Sequence, residues 1–296
     1  MLFYVIPFKK NCYITCTGKK DGMGAQAQAI YSAMLYCKLN KIPYCHTPLK
    51  SIAHNTDNNP NFTNEVEQFF NFGEDEIEIK DVVANREVID LDNSTFNTFF
   101  KILKYLFTNT EKYIFSRSHF HNFINQHTAE YPIIQKELRR KFYKYTKPNT
   151  NIYNGNEINI AVHLRRGDVS KSDENRFTNN LQIFQLIQQL NKLFSDSSTS
   201  FKIHIFSQGK EEEFTELKQY ASVHLNGNIF DDFMYLTKAD ILFMAKSSYS
   251  YCAALLSEGL IIYEPFWHPP LKEWKIIDYK SNISADLKNE IKNYKK

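Results

Sequence analysis

At 296 residues, the chain is long for one hydrophobic core and suits two domains of about 150 residues each. Hydrophobic residues make up 43% of it and charged residues 23%, which excludes a disordered or fibrous protein. The net charge of +3 is spread along the chain and excludes an extended nucleic-acid-binding surface, so we expect no nucleic-acid partner.

The cysteines and the apolar runs indicate a cytoplasmic protein. The five cysteines are odd in number and lack the spacing of a zinc ribbon, which is typical of reduced thiols. The first apolar run, "MLFYVIPF", ends at two lysines and is too short for a signal peptide. No run elsewhere approaches the roughly 18 apolar residues of a membrane span, so we expect no transmembrane segment.

The first half opens with a β-loop-α pattern. A strand is predicted over 12–17, and the glycines of "DGMGAQ", Gly22 and Gly24, precede a long helix with one apolar face and then a second strand. Two glycines without the third of the dinucleotide fingerprint fit either a backbone that approaches a phosphate or a plain turn. Further helical patterns lie within 50–80, over 95–107 and over 119–145.

A linker rich in Pro, Gly and Asn begins at Pro148, and we place the domain boundary there, with domains over 1–155 and 156–296. After it, strands and helices alternate, which predicts right-handed βαβ units and a parallel sheet of Rossmann type. The predicted strands are 158–164, 201–207, 223–226, 240–245 and 260–264, and the predicted helices are 179–195, one that starts near Glu211, 231–238 and 248–258.

Two arginines follow the first strand of the second half. The segment "HLRRGDV" puts His163, Arg165, Arg166 and Asp168 at the carboxyl end of a predicted strand, the edge where ligands bind in open α/β sheets. Side-chain alternation sends His163 and Arg165 to one face and Arg166 to the other. We therefore expect one arginine to bind a phosphate and its neighbour to be structural. The alternative is an arginine pair saturated by nearby carboxylates.

Small hydroxyl residues follow two more predicted strands. Ser207 and Gly209 come directly after one strand, while Lys246, Ser247 and Ser248 come after another and open a helix, whose N-terminus is a favourable anion site. Ser248 also fits the role of a helix cap. Three loops with such residues on one sheet edge indicate a phosphate site better than any single loop does.

Metal ligands are weakly indicated. Asp90 and Asp92 of "DLD" are of the ligand type that binds divalent cations, but their segment fits a strand end and a helix cap better. His119 and His121 have no third ligand nearby in the sequence, and the other histidines show no zinc-binding spacing. The sequence therefore predicts no metal cofactor.

Three of these segments resemble a known family. "HLRRGDV" is similar to the H-x-R-R-x-D motif of the fucosyltransferase superfamily, which includes α1,2-, α1,6- and protein O-fucosyltransferases, and "GMGAQ" is similar to its G-x-G-x-Q segment. "DFMYLTKADILFMAKSSYSY" is similar to the third motif of the α1,6 enzymes. The resemblance implies a GT-B-like α/β fold of two Rossmann-type domains facing a cleft, with the acceptor side in 1–155 and the nucleotide-sugar site in 156–296.

The resemblance also implies roles for single residues. Arg165 matches the arginine that binds the β-phosphate, and His163 matches the histidine near the pyrophosphate. Asp232 matches the aspartate that recognises GDP, and Ser248, with Ser247 beside it, matches the serine that contacts phosphate. The predicted nucleotide-binding residues are Gly22, Gly24, His163, Arg165, Ser207, Asp232, Asp240, Ser247 and Ser248.

The base that deprotonates the acceptor is the remaining catalytic position. In the α1,6 enzymes a glutamate follows the motif histidine at a fixed offset, and Asp173 stands there in this sequence with Glu174 beside it. Asp168 or a carboxylate of the first domain is the alternative. The predicted catalytic residues are Arg165, Asp173, Asp168 and Glu174.

The function that the resemblance implies is inverting, metal-independent transfer of fucose from GDP-fucose to a hydroxyl of a glycan or glycoconjugate. The alternatives are a GT-B transferase with another nucleotide sugar, a nucleotide- or glycan-binding protein without turnover, and an adhesion module that presents the Arg-Gly-Asp tripeptide at 166–168. Near the carboxyl terminus, Trp267, His268 and Trp274 either line an acceptor pocket or pack in a terminal loop.

Overall fold

Parallel β-sheets organise both halves of the chain, which confirms the predicted α/β fold class. The chain divides into two units, Met1–Tyr145 and Thr146–Lys296, whereas the sequence prediction set the limit between 155 and 156. The cleft between two domains stays a prediction. The computed structural model describes residues 12–55, 58–93, 95–107, 113–145, 147, 152–170, 172–173, 175–195 and 199–294.

The first unit combines two parallel ladders with helices. Its described elements in chain order are β1 Cys12–Cys16, α1 Met23–Asn40, β2 Cys45–His46, α2 Phe62–Phe70, β3 Ile77–Glu78, α3 Ile79–Val82, a 3₁₀ turn Val83–Asn85, β4 Glu87–Asp90, α4 Phe96–Phe107, β5 Tyr113–Arg117, α5 His121–Ile124, a 3₁₀ turn Thr128–Glu130 and α6 Pro132–Tyr143. One sheet has the order β1-β5-β4, and β2 pairs with β3. Because the strands of the larger sheet are parallel, the loops after β1, β4 and β5 meet at one edge.

Helix α1 is buried on all sides over most of its length. Every residue from Met23 to Cys37 is buried, whereas the sequence predicts a single apolar face. A helix that is buried all round lies in the interior of its unit. The small residues of "GAQAQA" allow this close packing, and periodicity alone does not reveal it.

Two other predictions for the first unit differ from the structure. Strand β5 is not predicted, because Tyr113–Ser116 are all buried and a short run of this kind shows no alternation. The helical pattern predicted over 119–145 corresponds to two helices, since α5 ends at Ile124 and α6 begins at Pro132. Proline suits the first turn of a helix, where its missing N–H leaves no hydrogen bond unmade.

The second unit contains a six-stranded parallel sheet with the order β11-β10-β9-β6-β7-β8. Its described elements in chain order are β6 Ile158–Leu164, α7 Asn180–Phe194, β7 Phe201–Ser207, two 3₁₀ turns Glu211–Phe214 and Leu217–Gln219, β8 Ser222–Leu225, α8 Ile229–Lys238, β9 Ile241–Phe243, α9 Ser248–Leu256, β10 Leu260–Tyr263, β11 Lys275–Ile276 and α10 Ala285–Lys292.

Strand β6 lies in the middle of this sheet, between β7 and β9. Its alternate apolar residues pack with one face of α7 in the core of the unit. Helix α7 begins with a capping box, in which Asn179 Oδ1 accepts from Leu181 N at 3.0 Å and Gln182 Oε1 accepts from Asn179 N at 2.9 Å. Because the strands are parallel, the loops after β6, β7, β8, β9 and β10 meet at one edge of the sheet.

Most predicted elements of the second unit are confirmed, within a few residues at their ends. The helix predicted from near Glu211 is wrong, since that segment forms only the two 3₁₀ turns. Strand β11 and helix α10 are not predicted, and two residues are too few for a strand to show periodicity. Within the described residues, no helix is both long and apolar enough to cross a bilayer.

Candidate active site

Arg165 follows β6 and is held in place by Asp168. Its Nε donates to Asp168 Oδ1 at 3.2 Å and its Nη2 donates to Asp168 Oδ2 at 2.6 Å, so the two side chains form a bidentate pair. Nη1 points to the carbonyl of Lys246 at 3.5 Å, in the loop after β9. The Arg165 side chain is 18% exposed, so a ligand can reach a guanidinium whose orientation is already fixed.

Arg166 points elsewhere and has a structural role. Its guanidinium stacks on the ring of Phe177 with Cζ 3.8 Å from the ring centroid. It also donates to the carbonyls of Arg165 at 2.9 Å and Thr178 at 2.6 Å, and to Asn180 Oδ1 at 2.9 Å. Burial lowers the pKa of Arg166 to about 10. Arg166 thus ties the loop after β6 to the start of α7, and an arginine held in this way does not present an adhesion tripeptide.

Gly167 is required by the backbone between the two arginines and Asp168. Its φ is +82°, a conformation that L side chains rarely adopt. A Cβ at this position would lie 2.2 Å from Gln208 Oε1, in the loop after β7. The glycine therefore lets the loops after β6 and β7 approach each other.

The loops after β7 and β8 are also locked together. Ser207, at the end of β7, is buried, and its Oγ donates to the carbonyl of Leu164 at the end of β6 at 2.9 Å. Gly209 and Asn226 exchange two hydrogen bonds, at 3.0 and 2.8 Å, that join the two loops. The Ser207 hydroxyl is thus engaged in holding strand ends together.

The loop after β9 presents the amino end of α9. Ser247 caps this helix, since its Oγ accepts from Tyr249 N at 3.2 Å. Ser248 Oγ lies 3.2 Å from Nε2 of His268. Lys246 Nζ lies 3.0 Å from Glu264 Oε1, and both side chains are largely buried, so this lysine is paired inside the protein.

Asp232 lies in the first turns of α8, and its carboxyl group has an unusual environment. Burial, reinforced by the neighbouring Asp231, raises its pKa to about 7. The carboxyl covers Gly227, where a Cβ would lie 2.6 Å from Oδ1. Among the described residues, no side chain or backbone group donates a hydrogen bond to this carboxyl or forms an ion pair with it. Asp232 therefore offers a hydrogen-bond acceptor to a ligand at the carboxyl edge of the sheet.

His163, near the carboxyl end of β6, has a neutral ring. Its Nδ1 is buried and has no hydrogen-bond partner in the described part of the chain. Burial, followed by the charges of Arg165 and Arg166, lowers the pKa of His163 to about 3. Its ring lies 5.5 Å from that of Tyr249. At neutral pH it carries no charge with which to attract a pyrophosphate.

Residues 56–265 match glycosyl transferase family 11, which is 265 − 56 + 1 = 210 of the 296 residues. The chain belongs to glycosyl transferase family 11. The matched range contains Arg165, Asp232 and Ser248, and it begins after Gly22 and Gly24. This protein is therefore a glycosyltransferase. No curated protein matches the sequence significantly.

Several solved structures are distantly similar to this glycosyltransferase. Fucosyltransferase NodZ from Bradyrhizobium is 11% identical with a TM-score of 0.38, over 84% of this chain and 94% of that chain. Escherichia coli heptosyltransferase WaaC with ADP is 12% identical with a TM-score of 0.43, over 90% and 92%. A mutant of Arabidopsis thaliana FUT1 in complex with GDP is 11% identical with a TM-score of 0.39, over 86% and 71%.

The predicted base of this glycosyltransferase lies in the loop after Asp168. Asp173 Oδ2 is 3.5 Å from Nε of Arg176, whose Cζ lies 5.1 Å from the ring centroid of Trp267. Trp267 is 45% exposed, whereas Trp274 and His268 are buried and pack on Tyr251. Of the three predicted pocket residues, only Trp267 reaches solvent. Glu174 lies outside the described residues.

One predicted nucleotide-binding residue lies at the other end of this sheet, and two belong to the first unit. Asp240 precedes β9 at the opposite edge of the sheet, where its Oδ2 accepts from Asn159 N at 2.8 Å, so the prediction for Asp240 is corrected to a structural role. Gly22 and Gly24 belong to the first unit, where Gly22 is the N-cap of α1 and Gly24 lies in its first turn. The predicted strand 240–245 already begins with Asp240, so chain order places this residue at the amino end of the strand.

Proposed function

We propose that this glycosyltransferase is an inverting fucosyltransferase that binds GDP-fucose at the carboxyl edge of the second sheet and transfers fucose to a glycan hydroxyl. The observation that carries the proposal is the unpartnered Asp232 carboxyl at the same sheet edge as the oriented guanidinium of Arg165. The amino end of α9 lies at this edge as well. The carboxyl can accept hydrogen bonds from a nucleobase, and the guanidinium and the helix N-terminus can bind a diphosphate. Together these three groups fit a nucleoside diphosphate.

Arg165 supplies donors for the diphosphate. A guanidinium has five N–H donors. Two are used by Asp168 and one points to Lys246 O, so 5 − 3 = 2 donors remain for a phosphate. Because Asp168 fixes the fork before the ligand arrives, little side-chain entropy is lost on binding. Asp168 therefore acts by positioning Arg165, and its bidentate contact leaves it poorly suited to act as a base.

Asp232 determines which nucleobase the site selects. A carboxylate accepts from two adjacent donors, and guanine presents such a pair at N1 and N2. Uracil and thymine present one N–H between two carbonyl oxygens, and a carboxylate repels those oxygens. Adenine presents one donor beside an acceptor nitrogen, so it offers the carboxylate only one hydrogen bond. Since the Asp232 carboxyl is desolvated and unpartnered within the described residues, its hydrogen bonds to guanine gain more than they would in water.

The proposed reaction needs no metal ion. Negative charge grows on the departing diphosphate, and Arg165 together with the amide groups at the start of α9 neutralises it. An inverting transfer also needs a base for the acceptor hydroxyl, and Asp173 is the sequence prediction for that role. All five cysteines are buried and reduced, which supports the cytoplasmic location that we also propose.

A calorimetric titration with GDP, UDP, ADP and dTDP in EDTA tests this function. We expect selective GDP binding that is lost in Asp232→Ala and kept in Asp231→Ala, which removes the preceding carboxylate of the same helix. Preference for UDP or dTDP would leave the glycosyltransferase activity in place but would indicate a nucleotide sugar other than GDP-fucose as its donor. Loss of all binding in EDTA that returns with Mg²⁺ would contradict metal independence.

A further inference from the structure

His268 lies in the segment that follows β10, beside the amino end of α9. Its side chain is almost completely buried, with 3% of the residue exposed. Its Nε2 lies 3.2 Å from Oγ of Ser248, the first residue of α9. Both residues belong to the second unit, so this contact depends on the fold of that unit alone.

Two buried tyrosine hydroxyls hold the backbone around His268. The hydroxyl of Tyr263 accepts from Phe266 N at 3.1 Å and donates to the carbonyl of His268 at 2.6 Å. The hydroxyl of Tyr251 donates to the carbonyl of Pro269 at 2.8 Å. The backbone of His268 is therefore fastened to side chains of β10 and α9.

Aromatic neighbours hold the ring of His268. Its centroid lies 5.3 Å from the ring of Tyr251, 5.9 Å from that of Trp267 and 5.4 Å from that of Phe266, with an interplanar angle of 89° to the last. Because the backbone and the ring are both held, Nε2 stays within hydrogen-bond distance of the Ser248 hydroxyl.

The Ser248 hydroxyl is not needed to cap α9. Ser247 is the N-cap, and its Oγ accepts from Tyr249 N at 3.2 Å. Among the described residues, His268 is the hydrogen-bond partner of the Ser248 hydroxyl. The partial positive charge at the amino end of a helix favours an anion, so this hydroxyl lies where an anion is stabilised.

The proton of the Ser248 hydroxyl has two possible directions. If Nε2 of His268 accepts, the serine donates to the ring and leaves only lone pairs for an anion. If Nε2 carries a proton and donates, it occupies one lone pair of Oγ and leaves the serine proton for a phosphate oxygen. A phosphate at this helix end therefore selects the form with a proton on Nε2, and the two hydrogen bonds in series polarise each other.

We propose that His268 is a positioning residue for the nucleotide diphosphate: its Nε2–H orients the Ser248 hydroxyl, which donates to a phosphate oxygen at the amino end of α9. This inference rests on the proposed function, which puts the diphosphate at that helix end. His268 acts through Ser248, so its effect depends on the phosphates of the ligand and on the presence of the serine hydroxyl.

The test compares His268→Gln with His268→Asn. Both variants bury the same amide, but glutamine carries its nitrogen as many bonds from Cβ as Nε2 of histidine, and asparagine carries it one bond nearer. Only glutamine restores the donor to Ser248, so we expect calorimetry to give His268→Gln a Kd for GDP about tenfold lower than that of His268→Asn. Guanosine has no phosphate, and we expect the two variants to bind it equally.

A double-mutant cycle tests whether the effect passes through Ser248. His268→Phe keeps a ring against Tyr251 and removes the donor, and urea unfolding verifies that each variant is folded. We expect His268→Phe to raise the Kd for GDP about tenfold when Ser248 is present, and less than about twofold in the Ser248→Ala background. A residue with only a packing role would have the same effect in both backgrounds.

Three results would overturn the inference: an equal Kd for GDP in His268→Gln and His268→Asn, an undiminished effect of His268→Phe in the Ser248→Ala background, or a parallel loss of guanosine and GDP binding. If the wild-type protein prefers UDP, ADP or dTDP, the cycle is measured with that nucleotide and judged by the same criteria, since the inferred contact is with the diphosphate. Binding of none of the four by the wild-type protein would contradict the proposed function itself and this inference with it.

Discussion

The substitution Asp232→Asn separates the stability of the second unit from its affinity for nucleotide. Burial raises the pKa of the Asp232 carboxyl from 3.8 to about 7, so the folded protein binds a proton more tightly than the unfolded chain does. The free energy of unfolding therefore falls as the pH rises between these two values. A pKa difference of this size corresponds to ~4 kcal/mol, and partial exposure to solvent reduces this to an expected difference of about 2 kcal/mol.

This reasoning predicts opposite effects of Asp232→Asn on stability and on binding. At pH 8 the variant has no buried charge, and we expect it to be about 2 kcal/mol more stable than the wild-type protein, whereas at pH 5, closer to the unfolded pKa, we expect the difference to fall to about 1 kcal/mol. Loss of a hydrogen bond to a charged group weakens GDP binding by about 1.5–3 kcal/mol, or roughly 10- to 150-fold in Kd. In the wild-type protein the ionised fraction falls from about 0.9 at pH 8 to about 0.1 at pH 6, so its Kd for GDP rises about tenfold.

Urea unfolding at pH 5 and 8 and calorimetry with GDP at pH 6 and 8 measure these effects. Asp231→Asn is the control, because it removes the same charge from the preceding residue of α8, and we expect its Kd for GDP to stay within about threefold of wild type. An Asp232→Asn protein that binds GDP as the wild-type protein does, or that is less stable at pH 8, would refute the reasoning.

Three other substitutions test the scaffold of the site. Arg165→Lys replaces the planar fork by a point charge, so we expect transfer to fall roughly 100-fold with little change in melting temperature, and a rate within threefold of wild type would count against a phosphate role. Gly167→Ala places a side chain at φ +82°, and we expect a loss of about 1 kcal/mol in urea unfolding, with no loss speaking against this backbone requirement. Lys246→Ala leaves Glu264 buried without its cation, and we expect a loss of about 2–3 kcal/mol that Glu264→Gln partly restores; unchanged unfolding in the single variant would show that the pair is not stabilising.

The sequence predicts well which residues lie at the carboxyl edge of the second unit's sheet, because that edge depends on their order along the chain. Residues that directly follow the strands of a parallel sheet must meet at one edge, which places Arg165, Ser207 and Ser248 together without knowledge of side-chain contacts. Alternation along β6 likewise predicts that one arginine is structural, and the contacts of Arg166 show which one. The pairing of Arg165 with Asp168 follows from the turn at Gly167, which no periodicity reveals.

The features that the sequence does not predict depend on packing and on short elements. Strand β5 is buried and lacks alternation, so the hydrogen bond from Ser118 Oγ after it to Asp92 Oδ2 could not be predicted. Asp240 precedes β9 and so lies at the amino end of that strand, but its hydrogen bond from Asn159 N in β6 cannot be predicted from the sequence. The desolvated state of Asp232 arises from its burial in the folded unit, which a spacing of residues along the chain does not show.

The most direct test of the central claim is a transfer assay with purified protein, GDP-fucose and EDTA. The acceptors are p-nitrophenyl β-glycosides of galactose, glucose, mannose and N-acetylglucosamine. The product is analysed by mass spectrometry, and its anomeric configuration is determined by NMR. Our account predicts a fucosylated product with inverted configuration in the presence of EDTA, and loss of that product in Arg165→Ala. A product with retained configuration, or no transfer of fucose while UDP-sugars or dTDP-sugars serve as donors, would contradict it.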